Sequence, residues 1–181
     1  MFLNRKSDDR QDDQLNALLL NCTLSKSPNI SPLEDLLEDV ASIYARHGVT
    51  TQILRPVDFE IGMDLPANFQ SRSDTWSIIQ AQVDACDVLI LGSSVWLGRE
   101  STVLSKILER LRSADHPTVC GTLLIGDETE LGTCAKGLHR RLQLLGFTVP
   151  VEPVPTNTTQ IAEVCLRLVL MLRERTDLVA S

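Results

Sequence analysis

The stretch that decides the fold is residues 87–92, which read Asp87-Val88-Leu89-Ile90-Leu91-Gly92. A run of large apolar residues with no alternating polar position is typical of a strand that is covered on both faces. Such strands occur in parallel sheets that carry helices on either side. The segment therefore predicts a central parallel strand in an α/β protein.

Comparable apolar segments recur on both sides of this strand, and amphipathic segments with helical spacing follow them. One apolar stripe consists of Leu33, Leu36, Leu37, Val40 and Ile43. The predicted strands are residues 17–20, 49–54, 87–92, 118–125 and 147–154. Five strands that alternate with five helices predict an α/β three-layer sandwich whose crossovers are right-handed.

Composition and charge narrow the classes of function. Hydrophobic residues make up 43% of the 181-residue chain and charged residues 23%, which excludes collagen-like, coiled-coil and wholly disordered proteins. The net charge of -7 opposes broad attraction to nucleic acid or to anionic lipid. No apolar run approaches the ~18 residues of a membrane span. We therefore expect neither a nucleic-acid partner nor a membrane partner.

The N-terminal residues differ from the rest of the chain. Residues 1–14 are polar and rich in aspartate, which predicts a flexible arm, and residues 15–181 are predicted to form a single domain. The start of the chain lacks the apolar core of a signal peptide. The five cysteines form no C-x-x-C pair and are expected to be reduced thiols in a cytoplasmic protein. The three histidines are dispersed, so no metal site is expected.

Ligands of open parallel sheets bind beyond the carboxyl ends of the strands. Three predicted loops leave those ends, at residues 21–31, 93–100 and 126–131. These loops are therefore the candidates for a binding site.

The first of these loops leads into a helix that Ser31 and Pro32 introduce as capping and first-turn residues. A helix N-terminus beside hydroxyl groups and Lys26 is suited to a phosphate. The alternative is that Ser31 only caps its own helix. Neither a nucleoside-triphosphatase loop nor a Gly-rich dinucleotide motif is present. Cys22 lacks the nearby arginine that a phosphatase thiolate needs, and we interpret it as a buried structural residue.

The second loop combines Trp96 with small residues and two glycines. Backbone amides beside an apolar wall suit a flat heteroaromatic ring with polar edges. The alternative is that Trp96 is a core or interface anchor, since tryptophan favours both settings.

Together the loops resemble a known family. Residues 87–98, continuing through Ser101 into 104–111, are similar to the strand, loop and helix of flavodoxin-like proteins in the NADPH-dependent FMN reductase group. Residues 22–24 with Ser31 occupy the place of the phosphate loop in that group, and residues 122–128 the place of its third flavin loop. The segment 144–150 is similar to the entry into its fifth strand.

The resemblance implies a five-stranded parallel sheet of order 2-1-3-4-5 and a non-covalently bound FMN. It implies that the phosphate lies over Thr23, Ser25, Ser31 and the backbone amides near Leu33. It implies that the flavin ring lies against Ser94, Val95, Trp96, Leu97 and Gly98, with Asp127 and Glu128 on another side. NAD(P)H would deliver electrons that pass to a quinone, another flavin or a similar small-molecule acceptor, within a homodimer or homotetramer. The cofactor carries this chemistry, so no catalytic side chain is implied.

Two departures from the family leave two hypotheses open. Pro32 and Leu33 stand where relatives have side-chain phosphate ligands, and the third loop carries the acids Asp127, Glu128 and Glu130. The first hypothesis is an FMN-dependent oxidoreductase. The second is a flavodoxin-like domain whose FMN site is degenerate and which serves as a non-catalytic binding or assembly module.

Overall fold

The structure is a computed structural model that describes residues 14–59, 61, 75–150 and 157–180. The predicted N-terminal arm lies outside the described residues apart from Gln14. Most of residues 60–74 and the end of the predicted fifth strand, residues 151–156, also lie outside them.

A parallel sheet forms the centre of the described structure. Its long strands are β1 (Asn16–Asn21), β2 (Thr50–Leu54), β3 (Val88–Trp96) and β5 (Val119–Ile125). They lie side by side in the order β2-β1-β3-β5. Because the first four predicted strands correspond to these elements in sequence, the predicted order 2-1-3-4 is confirmed.

The predicted fifth strand is present as a single bridge. Thr148 pairs in parallel with Val119, and its carbonyl accepts a hydrogen bond of 2.8 Å from the Cys120 amide. This contact lies on the far side of β5 from β3, where the predicted order requires the fifth strand. The sheet therefore follows the expected order 2-1-3-4-5, although its last position holds one paired residue among those described.

The prediction that residues 93–100 form a loop is wrong. β3 continues through Trp96, and a two-residue turn leads into β4 (Arg99–Glu100), which pairs antiparallel with the end of β3. Val95 lies opposite Glu100, and Trp96 lies opposite Arg99. The physical reason is that Leu97 and Gly98 both adopt positive φ, of 50° and 71°, as two-residue hairpin turns require.

Helices cover both faces of the sheet. α1 (Pro32–Arg46) and α5 (Thr158–Ala180) lie on one face, and the other face carries α2 (Trp76–Ala85), α3 (Thr102–Arg110) and α4 (Glu128–Leu144). In β1, Leu18 and Leu20 belong to the core under α2, α3 and α4, whereas Leu19 belongs to the core under α1 and α5. This alternation confirms that the central strands are buried on both sides.

The length and apolar character of the helices bear on whether one of them could span a membrane. Among the residues that the structure describes, no helix combines the length and the apolar character needed to span a bilayer.

Close packing between the sheet and α5 depends on Gly121. A Cβ atom at this position would lie 2.8 Å from both Cys165 Sγ and Ile161 Cδ1. We expect Gly121→Ala to lower the free energy of unfolding by about 1–3 kcal/mol, because the added methyl group overpacks this contact. Urea unfolding at equilibrium measures the change.

Gly132 provides the control for that variant. It lies on the exposed side of α4, and a Cβ there would meet nothing within 4 Å. Gly132→Ala should raise the stability by up to about 1 kcal/mol, because alanine favours a helix more than glycine does. Equal destabilisation by both substitutions would contradict the proposed packing constraint.

Candidate functional site

The carboxyl ends of β1 and β3 meet at one point of the sheet edge. Asn21, the last residue of β1, pairs with Gly92, and the Cys22 amide donates a 2.9 Å hydrogen bond to the Gly92 carbonyl. The first loop, residues 21–31, therefore starts directly beside the strand that runs into the hairpin Val95–Glu100.

Ser101 joins the first loop to the hairpin. Its hydroxyl donates to the Cys22 carbonyl at 2.7 Å and accepts from the Leu104 amide at 3.1 Å, so it also caps α3. Its own amide donates to Ser93 Oγ at 3.0 Å. One buried serine thus ties together the first loop, β3 and α3.

The residues that were predicted to bind the phosphate differ in their burial and in the hydrogen bonds that they already make. Ser31 is buried and caps α1, with its hydroxyl accepting from the Leu33 amide at 3.3 Å. Leu33 packs against Gly92, which has no side chain to obstruct it. Thr23 is partly buried and Ser25 is exposed. Thr23 and Ser25 therefore lie in the first loop at the sheet edge, whereas Ser31 and the Leu33 amide are already paired with each other.

Asn21 belongs to the same loop and was missed by the sequence analysis. Its side chain is 1% exposed, and its Oδ1 accepts a hydrogen bond from the Thr23 amide at 3.3 Å. Its Nδ2 is buried and has no hydrogen-bond partner among the described residues. An unpaired buried donor costs about 1–3 kcal/mol, which an acceptor oxygen on a ligand would recover. A polar residue that closes an apolar strand was the signal in the sequence.

The hairpin divides the predicted ring-binding residues into two groups. Val95 is buried and belongs to the core beside α3 and α4. Ser94 is exposed, and the side chains of Trp96 and Leu97 are 80% and 75% exposed. Trp96 is therefore not a core anchor of this chain.

Leu97 occupies a backbone conformation that disfavours it. Its φ of 50° lies in the left-handed region, which costs an L-residue other than glycine or asparagine roughly 1–2 kcal/mol. Non-glycine residues in this region are concentrated at functional sites. This conformation is the one that the two-residue turn between β3 and β4 requires, and it leaves the Leu97 side chain exposed at the tip of the hairpin.

Glu100 fixes the base of the hairpin. Its carboxylate accepts hydrogen bonds from Ser105 Oγ of α3 at 2.8 Å and from the Arg141 guanidinium of α4. Burial raises the pKa of Glu100, but hydrogen bonds from its own amide, Ser105 and Arg141, with the positive charge of Arg141, lower it below the ordinary value. The tip with Trp96 therefore stands on a base that is held by two helices.

The third loop lies against the second. A Cβ atom on Gly126 would lie 2.7 Å from the Val95 carbonyl oxygen. Asp127 caps α4, accepting hydrogen bonds from the Thr129 amide at 2.9 Å and the Thr129 hydroxyl at 2.6 Å. These bonds lower the pKa of Asp127. Its carboxylate is therefore engaged with its own helix, and Glu128 beside it is exposed.

Exposed apolar side chains surround this edge of the sheet. Leu24 and Ile30 of the first loop are 61% and 87% exposed, and Trp96 and Leu97 stand on the neighbouring hairpin. We call these four residues the apolar rim. Exposed apolar groups that lie close together are candidates for contact with a ligand or with another chain.

Thiol and metal chemistry receive no support from the described residues. All five cysteines are buried, and burial raises the pKa of Cys22 and brings that of Cys134 to about 11. The interpretation of Cys22 as a buried structural residue is confirmed. Within the described ranges, no group of histidine, cysteine, aspartate or glutamate side chains is placed to hold a metal ion.

Solved structures place the fold in a class. The structure of RosB with bound 8-demethyl-8-formylriboflavin-5'-phosphate gives a TM-score of 0.75 at 22% identity and covers 88% of this chain and 81% of that chain. An NADH:FMN oxidoreductase in its apo form gives 0.62 at 14% identity, covering 87% and 89%. A flavodoxin from the Archaea gives 0.51 at 14% identity, covering 90% and 99%. The chain therefore has a flavodoxin-like α/β fold, as expected.

Two proteins of known name are similar in sequence. The 8-demethyl-8-aminoriboflavin-5'-phosphate synthase of Streptomyces davaonensis is 25% identical over 155 residues, which are 75% of this chain and 60% of that protein. The divalent metal cation transporter MntH of Mycobacterium bovis is 31% identical over 154 residues, which are 77% of this chain and 22% of that protein. The chain thus spans less than two thirds of either relative. No model of a known protein family matches it.

The ionised form of Glu100 should stabilise the fold in a pH-dependent manner. Because folding lowers its pKa, the stabilisation is complete above the ordinary pKa of 4.5 and disappears as the pH falls through the lower folded value. We expect Glu100→Gln to cost about 1 kcal/mol at pH 7, and this difference should shrink below pH 4.5. Chemical unfolding of both proteins at a series of pH values measures it.

Glu109→Gln is the matched control. Glu109 forms an exposed pair with Lys106 at 3.2 Å, and such pairs contribute little to stability. Its substitution should leave stability unchanged within about 0.5 kcal/mol at every pH. A loss at Glu100 that does not vary with pH would contradict the role assigned to its charge.

Proposed function

We propose that this chain binds FMN, which is riboflavin 5'-phosphate, and acts as an NAD(P)H-dependent oxidoreductase that passes electrons to a flavin, a quinone or a similar acceptor. The observation that carries the proposal is the juxtaposition of two loops. The first loop, with the buried and unpaired Asn21 donor, lies beside a hairpin that exposes Trp96.

The first loop would hold the phosphate end of FMN. Thr23 and Ser25 offer hydroxyl groups, and Asn21 Nδ2 offers a donor that no described group satisfies. Ser31 and the Leu33 amide already pair with each other. We therefore assign the phosphate chiefly to residues 21–30 and assign Ser31 to shaping the start of α1.

The hairpin would hold the flavin ring. Trp96 offers an aromatic face, Leu97 offers an apolar surface, and Ser94 and Gly98 offer backbone groups for the polar ring edge. Hydrogen bonds from Thr129 hold the Asp127 carboxylate at the start of its own helix and keep it ionised, so the negative charge of the third loop remains beside an anionic cofactor. Bound FMN would supply reversible acceptance and release of electrons, while the chain holds and orients the ring.

The relatives support a riboflavin phosphate as the ligand. The Streptomyces protein is named as a synthase of an aminoriboflavin phosphate, and the RosB structure contains a formylriboflavin phosphate. In those proteins the flavin is the compound that is made or changed. In this chain we propose that the flavin is a cofactor and is not consumed. The flavin released after turnover should therefore have the same mass as the FMN that was added. Mass spectrometry of the released flavin would measure this.

A second candidate is the non-catalytic binding or assembly module. The Mycobacterium relative favours it, because a segment similar to this chain makes up only part of a protein that is named as a metal cation transporter. The pairing of Ser31 with the Leu33 amide also removes two predicted phosphate contacts. This candidate predicts that FMN leaves the thermal stability of the protein unchanged.

The setting of the reaction is also part of the proposal. A homodimer or homotetramer would cover the apolar rim. The net charge of -7 favours a small molecule over nucleic acid or membrane as the partner. The proposed location is the cytoplasm.

Titration with FMN tests the binding site. The native protein should quench flavin fluorescence and unfold at a higher temperature with FMN present. Trp96→Ala should weaken FMN binding about tenfold, because it removes the aromatic face for the ring. Leu144→Ala is the control, since Leu144 is 79% exposed at the C-terminal end of α4, away from the site. Absence of binding by the native protein would overturn the proposal and support the module.

Oxidation of the nicotinamide tests the reaction. The FMN-loaded protein should consume NADH or NADPH when a quinone is supplied, as the loss of absorbance of the reduced nicotinamide would report. Trp96→Ala should lower the rate at limiting FMN and recover at saturating FMN. Tight FMN binding without nicotinamide oxidation would leave an electron carrier and contradict the NAD(P)H-dependent activity.

A further inference from the structure

Arg55 is a buried cation that contacts the first loop from a distant part of the sequence. It follows β2 directly, and its side chain is 6% exposed. One guanidinium nitrogen donates to the Asn29 carbonyl at 2.8 Å and to the Ser25 carbonyl at 3.4 Å. The other nitrogen forms an ion pair with Glu34 in the first turn of α1.

These contacts set the direction of two backbone amides. The peptide bonds that follow Ser25 and Asn29 are trans, so each carbonyl points opposite to the N–H of the next residue. Because both carbonyls point to Arg55, the N–H groups of Lys26 and Ile30 point to the opposite side of the loop. Each of these N–H groups can donate to an anion on the side away from Arg55, and the repelling carbonyl oxygens are turned away from that side.

Asp58 holds the same segment between these two points. Its carboxylate accepts from the Ser27 amide at 2.8 Å and from the Ser27 hydroxyl at 2.7 Å. Asp58 lies in the short 3₁₀ helix Pro56–Asp58, three residues after Arg55. Residues 25–29 are thus fixed at three successive points by side chains that follow β2.

Asn21 points to a ligand on this loop independently of these contacts. Its Oδ1 accepts a hydrogen bond from the Thr23 amide of the loop, and its buried Nδ2 has no hydrogen-bond partner among the described residues. The positive charge of Arg55 is paired with Glu34, so Arg55 adds little net charge for an incoming anion. Arg55 would therefore contribute by orienting the backbone of the loop and not by contacting the phosphate directly.

We propose that Arg55, assisted by Asp58, is a positioning residue that orients the amides of Lys26 and Ile30 toward the phosphate of the flavin. This inference rests on the proposed function and assigns to that site the residues that select a phosphorylated flavin over riboflavin. It also explains a buried charge at the end of β2, since a buried ion pair contributes little to stability by itself.

The test compares the affinities for FMN and riboflavin, which differ by the phosphate alone. Arg55→Lys keeps the charge but loses the planar fork that reaches two carbonyls and a carboxylate together. It should weaken FMN binding about tenfold or more and leave riboflavin binding within about twofold, as loss of groups that orient binding residues does at other sites. Fluorescence titration measures both affinities, and thermal unfolding confirms that the variant is folded.

Two further variants complete the test. Asp58→Ala removes an exposed side chain and should also lower the ratio of the affinities for FMN and riboflavin. This variant tests the inference if Arg55→Lys does not fold. Arg173→Lys is the matched control, because Arg173 pairs with Asp87 at 3.0 Å at the opposite edge of the sheet. It should leave the ratio of the two affinities unchanged.

The outcomes separate the two proposals. A native protein that binds neither flavin, or binds both equally, overturns the phosphate site and with it this inference. A native protein that prefers FMN, with variants at Arg55 and Asp58 that keep the same preference or lose both affinities equally, overturns the inference alone. A preference that falls in both variants and persists in Arg173→Lys supports it.

Discussion

The hydrogen bond from the Cys22 amide to the Gly92 carbonyl fixes the position from which the candidate site is built. It continues the pairing of β1 with β3 by one residue, so that the first loop and the hairpin leave the sheet together. Gly92 also leaves room for Leu33, whose side-chain carbon would lie 3.0 Å from a Cβ at that position. The first turn of α1 therefore rests directly on the end of β3, beside the start of the first loop.

Most of the fold follows from local patterns in the sequence. Apolar runs identified β1 and β3, and the apolar stripe through Leu33, Leu37 and Val40 identified α1. The predicted loop 93–100 was wrong, because the pairing of Val95 with Glu100 depends on two consecutive positive φ angles and not on an apolar pattern. Leucine disfavours such an angle, so the sequence at Leu97 gave no indication of a hairpin turn.

The candidate site was less predictable because its contacts join distant residues. Topology alone identified the three segments as neighbours, although residues 93–100 form a hairpin and α4 already begins at Glu128 within the predicted loop 126–131. Arg55 lies 26 residues from Asn29 in the chain, and a search for an arginine within the first loop could not find it. Likewise, the hydrogen bond from the Ser101 hydroxyl to the Cys22 carbonyl spans 79 residues. Such contacts require coordinates, whereas a helix cap or an apolar stripe is visible within a few residues.

The burial of all five cysteines affects how this protein tolerates oxidants. Sulfenic acid and mixed disulfides form on accessible thiolates, and burial keeps these sulfur atoms protonated and out of reach. A protein that handles electrons near dioxygen is exposed to peroxide made at its own surface. For the proposed oxidoreductase, such peroxide would meet no accessible cysteine thiol, so repeated turnover would not inactivate the protein through thiol oxidation.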